Sequence, residues 1–222
     1  AQDENSQCAD LWEDYYSDYT SEWLTFEDPG KPECDGAKII QSTYGSYTQL
    51  ISFSKKHALQ LFTLLHYALA RVVYKLSGEE SFFIGTTEQN RPVPDVQDTI
   101  GYFARTIKLR TQYQQSEIKE DLKAFEALNL KALSLPALTL SEVLRHSKNV
   151  NIMQPYQIVL ELQRIGSEQN TLLKPSELSL QCFRRSAKND ISLFFYIDDN
   201  EAKISLEYDS EKYSAKFARL FL

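Results

Sequence analysis

The sequence is poor in the residues from which most metal and nucleotide sites are built. Its three cysteines, Cys8, Cys34 and Cys182, form no Cys-x-x-Cys pair and no Cys/His cluster, so no metal site is predicted. Such isolated cysteines are typical of reduced thiols in a cytoplasmic protein. Only seven glycines occur, and none belongs to a phosphate-binding loop. A Gly-x-Ser-x-Gly nucleophile motif is also lacking.

Histidine is equally scarce, and no catalytic residue is predicted. His57, His66 and His146 are the only three. None has a carboxylate or a nucleophile at a spacing that indicates a triad or a metal site. We therefore interpret all three as structural or surface residues.

Long hydrophobic runs are absent as well. No apolar stretch reaches the ~18 residues that a membrane span needs, and the first residues do not form a signal peptide. The net charge is −7, which argues against nucleic-acid and membrane partners. We expect a cytoplasmic protein, and a hydrophobic fraction of 42% is enough for a core.

Acidic residues dominate the beginning of the chain. Residues 1–28 contain nine Asp or Glu and no Lys or Arg. Leu11, Trp12, Tyr15 and Tyr16 recur among them at helical spacing, which predicts an amphipathic helix packed on a body. A turn-rich connector follows over residues 28–37. The predicted domains are therefore 1–37, an acidic helix with its connector, and 38–222.

Strand and helix patterns alternate through the rest of the chain. A strand is predicted over Tyr47–Phe53, and Ser54 is predicted to cap a long core helix that Gly78 ends. Ser116 is predicted to cap a second helix ending near Pro136, and Ser210 a terminal one. Further elements are predicted at 139–146 (helix) and at 156–163, 178–183, 191–197 and 203–208 (strands, the last two forming a hairpin). The pattern indicates a two-layer α/β sandwich with a mixed sheet.

The most specific motif lies in residues 81–110, SFFIGTTEQNRPVPDVQDTIGYFARTIKLR. It predicts a strand ending at Ile84-Gly85-Thr86, a loop marked by proline, and a second strand from Ile100 to Arg110. The segment resembles the "IGTP-x-x-NR" and "IG-x-F-V-N-T-x-x-x-R" motifs of nonribosomal peptide synthetase condensation domains.

Weaker matches to the same family occur in order along the chain. LWEDYYSDY resembles its "YW-x-x-x-L" helix, and YKLSGEESFFIGT resembles its "L-x-R-Y-S-G" helix with the strand that follows. Pro155-Tyr156-Gln157 with Gln163 resembles "P-L-F-Q-V-x-x-x-x-Q". The last matches are to "K-F-D-L-x-L" at Lys188–Leu193 and to "G-x-x-E-Y" at Ile204–Tyr208.

The resemblance implies the C-terminal lobe of a condensation domain with the chloramphenicol-acetyltransferase-like fold. In that family, amide bonds form between thioesters tethered to carrier proteins, in a tunnel between two lobes. The His-His-x-x-x-Asp-Gly motif belongs to the N-terminal lobe and does not occur in this sequence. The implied partners are that lobe and the peptidyl and aminoacyl carrier proteins. The implied cofactor, phosphopantetheine, arrives on the carrier proteins and is not bound directly.

The resemblance also assigns residues to the site. Phe103, Arg105 and Gln163 are expected to line the tunnel or bind substrate. A structural role in the motifs is expected for seven others: Gly85, Asn90, Arg91, Gly101, Thr106, Arg110 and Asp190.

Arg105 stands where the family has asparagine, and two interpretations are open. The guanidinium either holds an anionic group of a substrate or pairs with a nearby acid, such as one in the 95–98 loop. Alternation from Phe103 predicts that residues 103 and 105 share one side of the strand, toward the other lobe.

Two other functions fit the same resemblance. One is a CoA-dependent acyltransferase, which would need a basic patch that this acidic chain offers little sign of. The other is a degenerate, non-catalytic interaction module, because only Pro136 and Pro155 remain of two family segments.

Residues 166–189 are expected to be poorly anchored in the isolated lobe, so that proteolysis cuts there or in the 28–37 connector first.

Overall fold

The computed structural model describes residues 2–17, 23–33, 35–91, 94–96, 99–136, 157–164, 186–197 and 201–222. They form two compact units: residues 1–25 with 66–157, and residues 26–65 with 158–222. The acidic helix therefore belongs to the first unit and is not set apart with the connector. Several predicted features lie outside the described residues: the helix at 139–146 with His146, the strand at 178–183, and most of the 166–189 segment.

The described residues of the first unit form an antiparallel strand pair and three helices. Its elements are α1 (Gln2–Ser17), residues 66–77 of α3 (Leu61–Ser77), β2 (Ser81–Glu88), a 3₁₀ turn (Pro94–Val96), β3 (Arg105–Gln112) and α4 (Ile118–Ser134). β2 and β3 pair in a register that runs from Ser81 opposite Gln112 to Glu88 opposite Arg105. Ile84 and Leu109 lie opposite each other in the core, each at most 1% exposed.

Helix α1 carries the aromatic residues that its spacing predicts to be buried. Trp12, Tyr15 and Tyr16 are 1–2% exposed, whereas Leu11 is 51% exposed. The ring of Tyr16 contacts Phe83 of β2, and its hydroxyl donates to the Lys108 carbonyl in β3 over 2.8 Å. The predicted amphipathic helix is confirmed, and it packs on the β2–β3 pair.

The second unit contains a mixed sheet, as the sequence predicts. Its described strands are β1 (Ala37–Ser46), β4 (Ile158–Arg164), β5 (Ile191–Ile197) and β6 (Glu201–Asp209). Its described helices are α2 (Tyr47–Lys56), residues 61–65 of α3 and α5 (Ala215–Ala218), which a 3₁₀ turn follows (Arg219–Phe221). β4 is parallel to β5, while β6 is antiparallel to both β5 and β1. The β5–β6 pairing confirms the predicted hairpin.

The strand predicted over Tyr47–Phe53 is wrong, because those residues form α2. Tyr47, Leu50, Ile51 and Ser54 are its less exposed residues, and their spacing of three and four is helical. The strand lies earlier, at Ala37–Ser46, where polar side chains interrupt the alternation of apolar and polar residues that would predict a strand. Pairing with β6 determines its structure.

Three predicted N-caps are also wrong. Ser54 lies inside α2 and donates to the Leu59 carbonyl, and the long helix begins only at Leu61. Ser116 donates to the Asp121 carboxylate, while Glu117 holds the cap position. At the end of the chain, Ser214 is the N-cap and Ser210 is not.

Two other boundaries are clear in the structure. Gly78 follows α3 with a φ of +77°, which confirms the predicted left-handed helix end. The second strand of the 81–110 motif begins at Arg105, so the prediction that Ile100–Phe103 opens it is wrong. Among the described residues, no helix is long and apolar enough to cross a membrane.

Candidate functional site

The connection between β2 and β3 is organised around Arg91. Its Nη1 donates to the Thr99 carbonyl over 2.9 Å and its Nη2 to the Gly101 carbonyl over 3.5 Å. The guanidinium lies over the Phe103 ring, with Cζ 4.4 Å from the ring centroid. Asn90, at a φ of +50°, turns the chain as it leaves β2.

Gly101 completes this arrangement because a side chain there would meet the Phe103 ring. A Cβ on Gly101 would stand 3.0 Å from Phe103 Cε2. Arg91, Gly101 and Phe103 thus form one local cluster, while the structural role expected for Arg91 and Gly101 stays a prediction. The tunnel-lining role expected for Phe103 stays a prediction.

The other motif residues of the first unit lie in the strands. Gly85 lies in β2 opposite Lys108, and Thr106 lies in β3 opposite Thr87. Arg110 holds the end of α1: its Nη1 donates to the Tyr15 carbonyl over 2.8 Å, and its backbone N–H donates to the Tyr15 hydroxyl over 3.2 Å. The positive charge of Arg110 near the C-terminus of α1 also interacts favourably with the dipole of this helix.

Arg105 is buried and bound by groups of its own unit. Its Nε donates to Glu88 Oε2 over 2.6 Å, and its Nη1 donates to the Pro136 carbonyl over 2.9 Å. The guanidinium also lies 5.9 Å from the Trp12 ring. These contacts favour the structural interpretation of Arg105, although the acid is Glu88 and not one of the 95–98 loop. Its tunnel-lining role stays a prediction.

Side-chain alternation from Phe103 cannot place Arg105, because Phe103 lies outside β3. Within β3, Arg105 shares its face with Leu109 and Thr111. Thr111 is hydrogen-bonded to His66 of α3, so helices cover this face. The partner of Arg105 is visible in the register, since Glu88 lies directly opposite it.

Lys108 is a buried lysine that the motif comparison did not select. It is 3% exposed, and its Nζ lies 4.7 Å from the Phe83 ring centroid. Burial lowers the pKa of Lys108 to about 8. No pattern in the sequence predicts that a single lysine in a strand is buried, so the burial of Lys108 is seen only in the packing of the structure.

His66 belongs to a buried polar network and not to an exposed site. Its Nδ1 lies 3.0 Å from Asn129 Oδ1 and its Nε2 lies 2.8 Å from Thr111 Oγ1. All three residues are at most 2% exposed, and burial lowers the pKa of His66 to about 4. His57 lies outside the helices, with its ring 4.4 Å from that of Phe53.

The two motif residues of the second unit differ in exposure. Gln163 is exposed near the end of β4. Asp190 is 5% exposed and accepts from Lys212 Nζ over 2.5 Å and from the Tyr213 hydroxyl over 3.2 Å. Asp190 therefore ties the start of β5 to the turn after β6. Among the described residues, no cluster of His, Cys, Asp or Glu could hold a metal ion.

Comparisons with known proteins agree with this fold. The sequence model described as "Condensation domain" matches residues 34–222. Surfactin synthase subunit 2 of Bacillus subtilis (strain 168) is 27% identical over 164 residues, which are 70% of this chain and 5% of that protein. Gramicidin S synthase 2 of Aneurinibacillus migulanus is 27% identical over 205 residues, which are 85% of this chain and 4% of that protein.

Solved structures show the same fold. A four-domain nonribosomal peptide synthetase bound to AMP and glycine matches with a TM-score of 0.77 and 16% identity, over 96% of this chain and 18% of that one. The epimerization domain from the third module of tyrocidine synthetase B matches with a TM-score of 0.74 and 16% identity, over 99% of this chain and 53% of that one. The X-domain in complex with OxyB, from teicoplanin biosynthesis, matches with a TM-score of 0.72 and 17% identity, over 97% of this chain and 50% of that one. This chain spans a small part of the synthetases and about half of the last two structures.

Proposed function

Because this chain belongs to the condensation-domain family, we propose that it is the C-terminal lobe of a domain that forms amide bonds in nonribosomal peptide synthesis. The observation that carries this proposal is the family match over residues 34–222. Coverage of about half of the solved epimerization domain and X-domain supports assignment to one lobe of two.

In the proposed reaction, the amine of an acceptor attacks the thioester carbonyl of a donor. A C–N bond forms, the C–S bond breaks, and the donor's thiol leaves. The proton that the amine loses passes to the departing sulfur, which leaves as a thiol. The histidine motif, which the resemblance places in the N-terminal lobe, would act as the base that carries this proton or would stabilise the tetrahedral intermediate. This chain would supply the second tunnel wall and part of the docking surface for cytoplasmic carrier proteins with their phosphopantetheine arms.

The test compares the isolated chain with a two-lobe protein. The chain is joined to the N-terminal lobe of a condensation domain from gramicidin S synthase 2, and both proteins receive aminoacyl and peptidyl carrier proteins. We expect amide product from the joined protein at a rate at least about 100-fold above that of the isolated chain. The control is the joined protein with the second histidine of the grafted motif replaced by alanine. Product from the isolated chain that the added lobe does not increase would contradict the proposal.

A degenerate, non-catalytic module is the second candidate, and the contacts of Arg105 favour it. The family's asparagine is replaced by an arginine that Glu88 and the Pro136 carbonyl already bind. A joined protein that folds and binds carrier proteins but forms no amide would indicate this module.

A further inference from the structure

The connection between β2 and β3 carries the two most exposed large hydrophobic side chains among the described residues. Ile100 is fully exposed and Tyr102 is 90% exposed, whereas the next in order, Ile39, is 61% exposed. Transferring such side chains out of water is favourable. Neighbouring exposed side chains of this kind indicate contact with another protein surface more strongly than single ones do.

The backbone that carries this pair is held by Arg91. Its guanidinium donates to the carbonyls of Thr99 and Gly101, over 2.9 and 3.5 Å. The same guanidinium lies over the Phe103 ring, 4.4 Å from its centroid. The two exposed side chains therefore project from a backbone that is already ordered. A contact made by an ordered segment loses less conformational entropy than one made by a flexible segment.

The residues around the pair indicate an apolar partner surface. Residues 99–104, Thr-Ile-Gly-Tyr-Phe-Ala, contain no charged side chain. The cores of protein interfaces are depleted of charged residues, and tyrosine is among the residues that contribute most to binding. An apolar hollow on a protein fits this composition better than an anionic ligand does.

The size of the pair limits the kind of protein partner. Given their exposure, Ile100 and Tyr102 together present about 300 Å² of side-chain surface. A stable interface between two free proteins buries about 800 Å² on each partner, so the pair is too small for a second copy of this chain. A smaller contact suffices within one polypeptide, because the tether raises the effective concentration of the partner.

We propose that Ile100 and Tyr102 dock into an apolar hollow on the N-terminal lobe of the same condensation domain. The inference rests on the proposed function, in which this chain is one lobe of two. In the solved epimerization domain, which this chain matches over 53% of its length, nearly half of the polypeptide lies outside the match. The sequence motifs assigned neither residue to the site.

The test compares hydroxyl-radical labelling of the 222-residue chain with that of the joined protein, without carrier proteins. We expect Ile100 and Tyr102 to be labelled at least about fivefold more slowly in the joined protein, because the N-terminal lobe excludes water from them. Leu220 is the control, since it is 49% exposed and lies in the second unit. Its labelling should be the same in both proteins.

A double variant, Ile100→Ser with Tyr102→Ser, separates docking from a structural role inside this chain. It should leave the urea midpoint of the isolated chain within about 0.2 M, because both side chains are already in water. In the joined protein it should lower the midpoint by about 0.5 M or more, because the contact between the lobes is lost. Leu220→Ser is the matched variant and should shift the midpoints of the two proteins equally.

Three results would overturn the inference. The first is equal labelling of Tyr102 in the isolated chain and the joined protein. The second is a double variant that shifts the two midpoints equally. The third is a concentration-dependent dimer of the isolated chain that the double variant abolishes, which would assign the pair to a second copy.

These measurements are independent of the condensation reaction. If Tyr102 is protected in a joined protein that forms no amide, the docking contact stands and the condensation activity does not. If amide forms while Tyr102 is labelled as fast as in the isolated chain, only the docking contact is overturned.

Discussion

At the scale of single residues, several buried polar groups of the first unit are hydrogen-bonded to one another. Arg105 illustrates this, because Glu88 and the Pro136 carbonyl bind a side chain that is 7% exposed. Removing one partner of such a pair leaves the other without compensation in a poorly solvated place.

We therefore expect Arg105→Ala to lower the free energy of unfolding by about 2–4 kcal/mol. Glu88 is 30% exposed, so Glu88→Gln should cost less, about 1 kcal/mol. Urea denaturation of both variants and of the double variant measures their coupling. A loss below about 0.5 kcal/mol for Arg105→Ala, or additive effects, would show that the pair is not structural.

His66 makes the stability of this unit depend on pH. Burial holds its pKa at about 4 in the folded chain, below the ordinary value of 6.5, so the unfolded chain binds more protons between these two pH values. Stability is then present above about pH 6.5 and is lost as the pH falls toward 4. Integrating the linkage, we expect a loss of about 2 kcal/mol between pH 7 and pH 5.

Urea denaturation at the two pH values tests this expectation. His66→Gln should reduce the pH-dependent loss, although the variant is less stable at both values because Thr111 and Asn129 lose their partner. His57→Gln is the control and should keep the full loss. A pH dependence that is the same with and without His66 would falsify the assignment.

At the scale of elements, α1 is the helix on which the first unit depends. The family match begins at residue 34, yet Trp12, Tyr15 and Tyr16 bury their rings against one another and against Phe83. The Trp12 indole also donates to the Pro136 carbonyl over 2.9 Å, beside Arg105.

We expect Trp12→Ala to destabilise the chain by about 3 kcal/mol or more, because a large buried ring is removed. Leu11→Ala is the matched control: it changes the exposed neighbour and should cost less than about 0.5 kcal/mol. Thermal denaturation followed by circular dichroism compares the two. Equal effects of the two substitutions would show that α1 is not anchored by its aromatic residues.

Elements whose own residues carry a strong pattern could be predicted from the sequence. The apolar runs of β2 and β5, the end of α3 at Gly78 and the periodicity of α1 were sufficient. β1 could not be predicted in this way, because Ala37–Ser46 does not alternate regularly between apolar and polar residues, and its pairing with β6 is not visible in the sequence. The caps failed for a similar reason: serines precede several helices, and tertiary contacts decide which one accepts from the helix amides.

At the scale of the whole molecule, the sequence motifs identify the family, while the site residues that they select stay predictions. Asn90, Arg91 and Gly101 come from the motifs, and all three lie in the connection between β2 and β3. The contacts of Glu88 and Lys108 could not be predicted from the sequence, since Glu88 depends on its strand partner Arg105 and Lys108 on its packing against Phe83. A single sequence does not show which residues of two strands lie opposite each other.

Neither compact unit is a continuous stretch of chain, and this has a consequence for synthesis on the ribosome. The hydrogen bonds between Tyr15 and Arg110 join residues 95 positions apart. At about 5–20 residues per second, β3 is made about 5–20 s after α1. Until β2 and then β3 are made, Trp12, Tyr15 and Tyr16 lack the strands against which they pack, so the nascent chain presents aromatic side chains to chaperones before its own fold can cover them.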